Sequence, residues 1–464
     1  MYCGYVTNLK NVRPHPNADR MKLADCFGNT VCVGLSAQEG DVVIYFPTDG
    51  QLSVEYCAQN DLVRRKDENG NQAGGYLDPD KRNVKAIKLR GEKSDGITMP
   101  LESLAYTGVD MSTLTIGTQV TVINGHEICQ KYIPKSNKRS YTGGAVNKTR
   151  KHKAPIAPLF AEHADTEQLA YNLSSFKCGD EVEITLKMHG TSQRTGYLPT
   201  LQGYKKTLWE KLTRKEGTPI YNWGGVSGTR RVVLEDYNGG FYGSNEFREQ
   251  HSKVFDGKLQ KGETVYYEVV GFTTDGAPIM ASCNNKKLND KDFIKQYGEE
   301  TVFSYGCEST GEHITHGYDE DGHYSIATKV PQSDIYVYRM TMTNEDGFVV
   351  EYTPDFMRYR CEQMGVKCVP VLWKGTIPQN PASAEDPTIT AGEWIKNVAE
   401  RFYDGPDPIG KTHIREGVVV RILNRPKFAA YKHKNFAFKV LEGIIKETAE
   451  APDMEEADGQ VYSE

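Results

Sequence analysis

From Glu181 to Ser192 the chain reads Glu-Val-Glu-Ile-Thr-Leu-Lys-Met-His-Gly-Thr-Ser. Val182, Ile184, Leu186 and Met188 alternate with Glu181, Glu183, Thr185 and Lys187, and a period of two marks a half-buried strand. Lys187 falls on the polar side, just before the strand breaks at Gly190. A lysine held at a strand end beside a tight glycine turn can act as a nucleophile toward a phosphate. The pattern K-x-x-G also closes many ordinary strands, so the rest of the chain must decide between the two readings.

At 464 residues there is room for two or three domains, and 38% hydrophobic with 25% charged residues describes a water-soluble globular protein. No run of about 18 apolar residues is present, which excludes a helical membrane span. The opening Met-Tyr-Cys-Gly-Tyr lacks a signal-peptide pattern. The ten cysteines form no C-x-x-C pair. Reduced thiols in a cytoplasmic protein are therefore expected, rather than a disulfide framework or zinc knuckle. The net charge of −6 argues against indiscriminate binding to nucleic acid, but charge is unevenly spread. Lys135, Lys138, Arg139, Lys148, Arg150, Lys151 and Lys153 lie in a stretch without acids, read equally as a phosphate-neutralising arm or a solvated linker.

Residues 1–130 read as short strands and turns: Tyr5–Val12, a hairpin of Met21–Cys26 and Thr30–Gly34 around Phe27-Gly28-Asn29, Gly40–Pro47, Val84–Arg90 and Gly117–Asn124. This pattern predicts a small β-barrel of the oligonucleotide-binding (OB-like) type that holds nucleic acid. His15-Pro-Asn-Ala-Asp-Arg20 is similar to a signature of tRNA-binding modules with that fold, though as a hexapeptide it is first of all a turn. A basic flexible linker follows at 131–157, a main domain at 158–445 and an acidic disordered tail at 446–464. In the main domain Asp165-Thr-Glu-Gln168 predicts a helix start. Strands are expected around Lys187, at Val265–Val270, Ile335–Met340, Gly417–Leu423 and Tyr431–Val440, with helices at Pro354–Met364 and Ala391–Tyr403.

Five segments carry chemistry: Lys187-Met-His-Gly190, Ser227-Gly-Thr-Arg-Arg231, Tyr266-Tyr-Glu-Val-Val-Gly271, Arg415-Glu-Gly-Val-Val-Val-Arg421 and Tyr431-Lys-His-Lys-Asn435. Lys432 and Lys434, two apart on a strand, share a face. That face can grip a triphosphate, or can simply be an exposed edge.

This ordered set, with Tyr336-Val-Tyr-Arg339 as an aromatic strand, resembles the motifs of covalent nucleotidyltransferases. Specifically it resembles ATP-dependent RNA ligases of the phage nick-sealing type, in which K-x-(D/H)-G, an arginine, E-x-x-G, an aromatic strand, E-G-x-V and K-x-K follow in this order. The resemblance spans most of residues 158–440 and includes His189 in place of aspartate, a variant known in the RNA ligases and unusual in DNA ligases. It implies an α+β fold: an ATP-grasp-like adenylation domain of antiparallel sheets with helices, preceded by the small barrel. It implies that Lys187 attacks the α-phosphate of ATP, that AMP passes to a 5′-phosphate, and that a 3′-hydroxyl then displaces AMP. Leu186, His189, Gly190, Arg230, Glu268, Tyr338, Glu416, Lys432 and Lys434 become nucleotide-binding candidates. Glu416 and Glu268 would hold Mg²⁺ or Mn²⁺ through water. Arg230 is preferred to Arg231, and RNA in a nicked duplex or RNA/DNA hybrid is the expected partner of a monomeric enzyme. A phage, viral or bacterial source is compatible with the resemblance.

DNA ligases and mRNA capping guanylyltransferases share the lysine chemistry but place their barrel after the K-x-K strand, where only residues 435 to 464 remain here. A non-catalytic nucleic-acid binding protein on a decayed ligase domain is the alternative of another class. His313, His316, Asp319, Asp321 and His323 are read as a surface hairpin rather than a metal cluster. Arg194 is read either as a substrate contact or as a solvated strand residue.

Overall fold

Lys187 lies in a four-residue crossing, 187–190, between strands of two different sheets. The structure, a computed structural model, describes residues 2–48, 50–66, 72–132, 154–163, 166–209, 217–237, 245–274, 279, 315–318, 324–327, 333–382, 388–409 and 414–439. The chain divides into two compact units, Met1–Ser136 with Phe436–Pro452, and Asn137–Asn435 with Asp453–Glu464. Most of the expected linker and all of the expected acidic tail lie outside the described residues.

In the second unit the expected strand is Glu181–Leu186. It pairs antiparallel with Gly417–Ile422 on one side and Val371–Thr376 on the other. Ala430–Lys434 and a short Glu167–Gln168 strand complete a five-stranded sheet. Val182, Ile184 and Leu186 are buried as their alternation predicts, each contributing about 1.5–3 kcal/mol. Val182 and Ile184 pack under the helix Ala391–Glu400, whose Ile395, Val398 and Ala399 face the sheet. Thr390 and Glu393 close a capping box at the start of that helix.

The chain then enters a second sheet of Thr218–Gly228, Thr191–Lys205, Glu263–Gly271, Ser333–Thr343 and Val349–Glu351, with Lys367–Cys368 added parallel to Tyr336–Val337. The helix Pro354–Met364 covers it through Met357, Cys361 and Met364. Its amino end has Thr353 as a capping acceptor and Pro354 at the first position, and Gly365 ends it in the left-handed conformation. A small apolar cluster of Leu186, Met188, Val270, Tyr336 and Val369, with Tyr338 against it, joins residues of both sheets beside the crossing.

The polar side of the Lys187 strand is only partly open to solvent: Glu181 is exposed and Thr185 half-buried. Glu183 is buried and receives two hydrogen bonds from Arg358, 3.1 and 2.8 Å, which tie the helix to the strand. Two further sequence expectations change. Beyond Asp165, which lies outside the described residues, the expected helix start is instead the strand Glu167–Gln168 and a 3-10 turn, Leu169–Tyr171. The Tyr431–Val440 strand stops at Lys434, because the Asn435 N–H turns back to the Glu416 carbonyl, 2.7 Å, and residues 436–439 are helical.

In the first unit, the hairpin forms as Lys22–Cys26 and Asn29–Val33, with Phe27 and Gly28 both at positive φ, as a tight primed turn needs. Ile97–Pro100, Val42–Phe46, Gly4–Asn8 and Gln119–Val120 make a four-stranded antiparallel sheet over the helix Val54–Gln59. Val6, Ile44, Phe46, Leu52, Tyr56 and Leu104 form the core. Among the described residues these strands fall into separate sheets and do not close into one ring. Phe436–Lys439 belongs to this unit: Lys93 sits 5.0 Å over the Phe436 ring, Phe438 is buried, and Lys439 pairs with Asp95. In the second unit Thr315–Tyr318 and Tyr324–Ala327 pair antiparallel, while His313, Asp319, Asp321 and His323 of the expected surface hairpin lie outside the described residues; among the described residues no group of His, Cys, Asp and Glu could hold a metal ion by itself.

Candidate active site

The crossing is held by its backbone. The Leu186 N–H donates to Pro370 (2.9 Å) and the Lys187 N–H to Gly417 (3.0 Å), so Lys187 stays registered to the next strand after its own has ended. Gly190 is needed for close approach: a Cβ there would meet the Val269 carbonyl at 2.4 Å and Glu268 Cγ at 2.9 Å. Arg248, fully buried, donates to the Ser192 carbonyl (3.1 Å) and Thr191 Oγ1 (2.8 Å), fixing the start of the receiving strand.

Glu416 is the electrostatic centre. Lys187 Nζ lies 2.8 Å from its Oε1, Lys434 Nζ 3.4 Å from the same oxygen, and His189 Nδ1 3.4 Å from Oε2. The carboxylate is 4% exposed, and such burial alone would raise its pKa. Burial is outweighed by Lys187, Lys434 and His189, which hold it well below the usual carboxylate range. Glu416 is therefore an anion throughout the physiological pH range, shared by two ammonium groups.

The lysine strand is locked from its other face. His433, between Lys432 and Lys434, stacks on Tyr403 at 4.8 Å and lies 3.7 Å from Glu400. Burial pushes the Glu400 carboxyl up, but His433 and Lys396 bring it down to about 2. Asn435 Nδ2 donates to Asp404 at 2.7 Å. Gly417, paired with Lys434 and at φ 146°, admits no side chain, because a Cβ would come within 2.2 Å of the His433 carbonyl.

Of the residues proposed from sequence, Lys187, His189, Glu416 and Lys434 form one charge cluster. Gly190 lies against Glu268, which is 7% exposed on its strand, and Leu186 shares its apolar cluster with Tyr338. Lys432 pairs with Val419 across the sheet, on the strand face that also bears Lys434. Arg230 is half-buried and Arg231 exposed. The Arg230 carbonyl accepts from the His163 N–H at 3.3 Å.

His163 had no signal in the sequence. It is buried, its ring 5.0 Å from Tyr338, and its Nδ1 accepts from Arg339 Nη1 at 3.3 Å. Burial first, and then Arg230, Arg339 and Arg194, hold its pKa well below the ordinary value, so it is neutral. Arg194 fits neither sequence reading. It is 1% exposed, donates to the Thr229 and Phe160 carbonyls at 3.0 and 2.9 Å, and stacks over the Phe160 ring. Its work is structural, tying the segment before the first sheet to the second.

Such an arrangement has a lysine at a strand end, a permanently ionised carboxylate, a second cation and a second buried acid. It is equipped to bind a phosphate chain beside a primary amine. No protein-family model matches the sequence, and no curated protein matches it significantly. Solved structures of the Naegleria gruberi RNA ligase do match the fold. A variant with ATP and Mn has a TM-score of 0.53 at 16% identity, covering 95% of this chain and 98% of that one. The enzyme with pyrophosphate gives 0.51 at 15%, over 94% and 98%. A further variant with ATP and Mn gives 0.54 at 16%, over 96% and 99%. The chain therefore has an RNA ligase fold along almost its whole length.

Proposed function

We propose that this chain is an ATP-dependent RNA ligase that joins a 3′-hydroxyl to a 5′-phosphate through AMP carried on Lys187. The observation that carries this reading is the convergence of Lys187 and Lys434 on Glu416, at the crossing between two sheets of a ligase fold. The solved Naegleria variants include one substituted at a lysine and one at an aspartate two residues later, the spacing of Lys187 and His189 here.

In the first step the Lys187 amine attacks the α-phosphorus in line, a P–N bond forms and pyrophosphate leaves. AMP then passes to a 5′-phosphate, and a 3′-hydroxyl displaces it. Each step is a phosphoryl transfer that is accelerated mainly by positioning and charge neutralisation. Lys434 and Lys432 would take the phosphate oxygens. Lys187, ion-paired with Glu416, is held as the ammonium, and it becomes a nucleophile only after losing that proton. Lys434 on the same oxygen favours the loss, since two adjacent positive charges repel.

Glu416, ionised and buried, and Glu268, a buried carboxylate beside Gly190, suit a hard divalent cation bound through water and substrate phosphates. Mg²⁺ or Mn²⁺ there would neutralise developing phosphate charge. The first unit, with its short strands and the hairpin, is read as an OB-like module that holds nucleic acid, and the enzyme as a monomer acting on nicked duplex or hybrid.

Incubation with α-labelled ATP and Mg²⁺ tests the assignment: label should become bound to the protein through a link that is stable to alkali and labile to acid, as a P–N bond is, and be chased by pyrophosphate. Nicks with ribose or deoxyribose on each side then separate RNA from DNA sealing. A protein that takes no label from ATP, or takes it only from GTP, overturns the proposal.

A further inference from the structure

Cys361 is on the last turns of the helix Pro354–Met364 and Cys368 is on the strand Lys367–Cys368. Gly365, at φ 69°, ends the helix, and the Val366 N–H returns to the Cys361 carbonyl at 3.0 Å. That reversal folds the chain back along the helix. The two thiols come into hydrogen-bonding contact in the apolar cluster under the second sheet, both of them free. They differ in access: Cys361 is 1% exposed, and Cys368 is only partly covered.

We infer that Cys361 and Cys368 are a peroxide-oxidisable dithiol, with Cys368 as the attacking sulfur and Cys361 as the resolving one. The hydrogen bond from Cys361 lowers the Cys368 pKa, against the effect of burial and with help from Arg358. The same hydrogen bond, with burial, raises that of Cys361. Cys368 is also the sulfur that a peroxide can reach, since Cys361 is 1% exposed, and this difference in access sets the order of attack. The Cys368 thiolate takes one oxygen from hydrogen peroxide, giving a sulfenic acid and hydroxide, which is protonated to water. The Cys361 sulfur then attacks Cys368. The S–S bond forms as the S–O bond breaks, and the sulfenic oxygen leaves as water with the Cys361 proton. Two thiols lose two hydrogens and one peroxide becomes two waters.

Exposed Cys178 is an internal control, a thiol with no such neighbour among the described residues. The full chain, treated with dilute hydrogen peroxide, alkylated and mapped by mass spectrometry, should show Cys361 and Cys368 joined and lighter by two hydrogens. The bond should form before Cys178 is oxidised and be reversed by dithiothreitol. With dimedone present, Cys361→Ser should carry the adduct on Cys368, and Cys368→Ser should carry none on Cys361. If Cys178 is oxidised while Cys361 and Cys368 both remain alkylatable, the inference fails. The wild-type map alone decides the matter if a serine variant does not fold.

Discussion

Lys187 and Lys434 approach the same oxygen of Glu416, at 2.8 and 3.4 Å, although 246 residues lie between them in sequence. One carboxylate oxygen thus reads the charge of both the proposed nucleophile and its proposed phosphate-gripping partner. The backbone brings the two lysines together at Gly417, and the ionised Glu416 screens their ammonium groups from one another.

Lys187→Arg should retain the ion pair with Glu416 but lose self-adenylylation, because a guanidinium does not give up its proton to become a nucleophile. Lys187→Ala should lose it equally. Both should still seal nicks whose 5′ end is already adenylylated. Labelled AMP on either variant would remove Lys187 from its role.

Glu416→Gln leaves Lys187 and Lys434 facing one another without the anion. Taking one member from a buried charge cluster costs about 3–5 kcal/mol, so urea unfolding should move to lower concentration. Any residual adenylylation should reach its maximum at lower pH, since the neutral amine is then easier to form. An unchanged pH profile would show that Glu416 does not govern the Lys187 proton.

His251, hydrogen-bonded to Ser333 at 2.7 Å, is pushed from the ordinary 6.5 to about 4 by burial and by Arg248, despite Asp334. Between those values the unfolded chain takes a proton that the folded one refuses, so stability falls as pH drops from 6.5 toward 4. This gap corresponds to about 3 kcal/mol. His251→Gln should flatten the pH dependence of urea unfolding in that window. A variant as acid-sensitive as the parent would show that His251 is not its source.

Gly190→Ala should cost about 1–3 kcal/mol in stability, because its methyl would press on the Val269 carbonyl and Glu268. Adenylylation should fall further than the stability loss explains, since the displaced groups adjoin Lys187. Equal losses at 25 °C and near the melting temperature would reduce Gly190 to a packing residue.

Phe438→Ala should destabilise the first unit by about 3–5 kcal/mol while leaving the unfolding of the second nearly unchanged. Hydrogen exchange should then quicken at Val6, Ile44 and Phe46 but not at Val182 and Ile184. A chain begun at residue 155 would keep every proposed site residue and leave Phe438 without its unit. Faster exchange in the second unit alone would refute the assignment.

Much of the second unit was legible, because its signals are local. The alternation at Val182, Ile184 and Leu186 has one cause, burial of one strand face, and the helix Pro354–Met364 carries its own caps. Glu183 was misleading for the opposite reason. It fits a solvated face in the sequence, and what buries it is Arg358, 175 positions away. Arg194 and His163 were unreadable in the same way, since their partners, Thr229, Phe160 and Arg339, are visible only after the sheets have stacked. In the first unit, strand count suggested a closed barrel, but closure depends on pairing between distant strands that composition does not encode.

The discontinuity of the first unit has a consequence for how the protein is made. Phe436–Lys439 leaves the ribosome some three hundred residues after Ser136, so the first unit, whose strands all precede residue 132, lacks this helical piece through most of translation. At about 5–20 residues per second that delay is tens of seconds, long compared with the folding of a small domain. During this time the surface destined for Phe438 is open to a chaperone or to a neighbouring nascent chain.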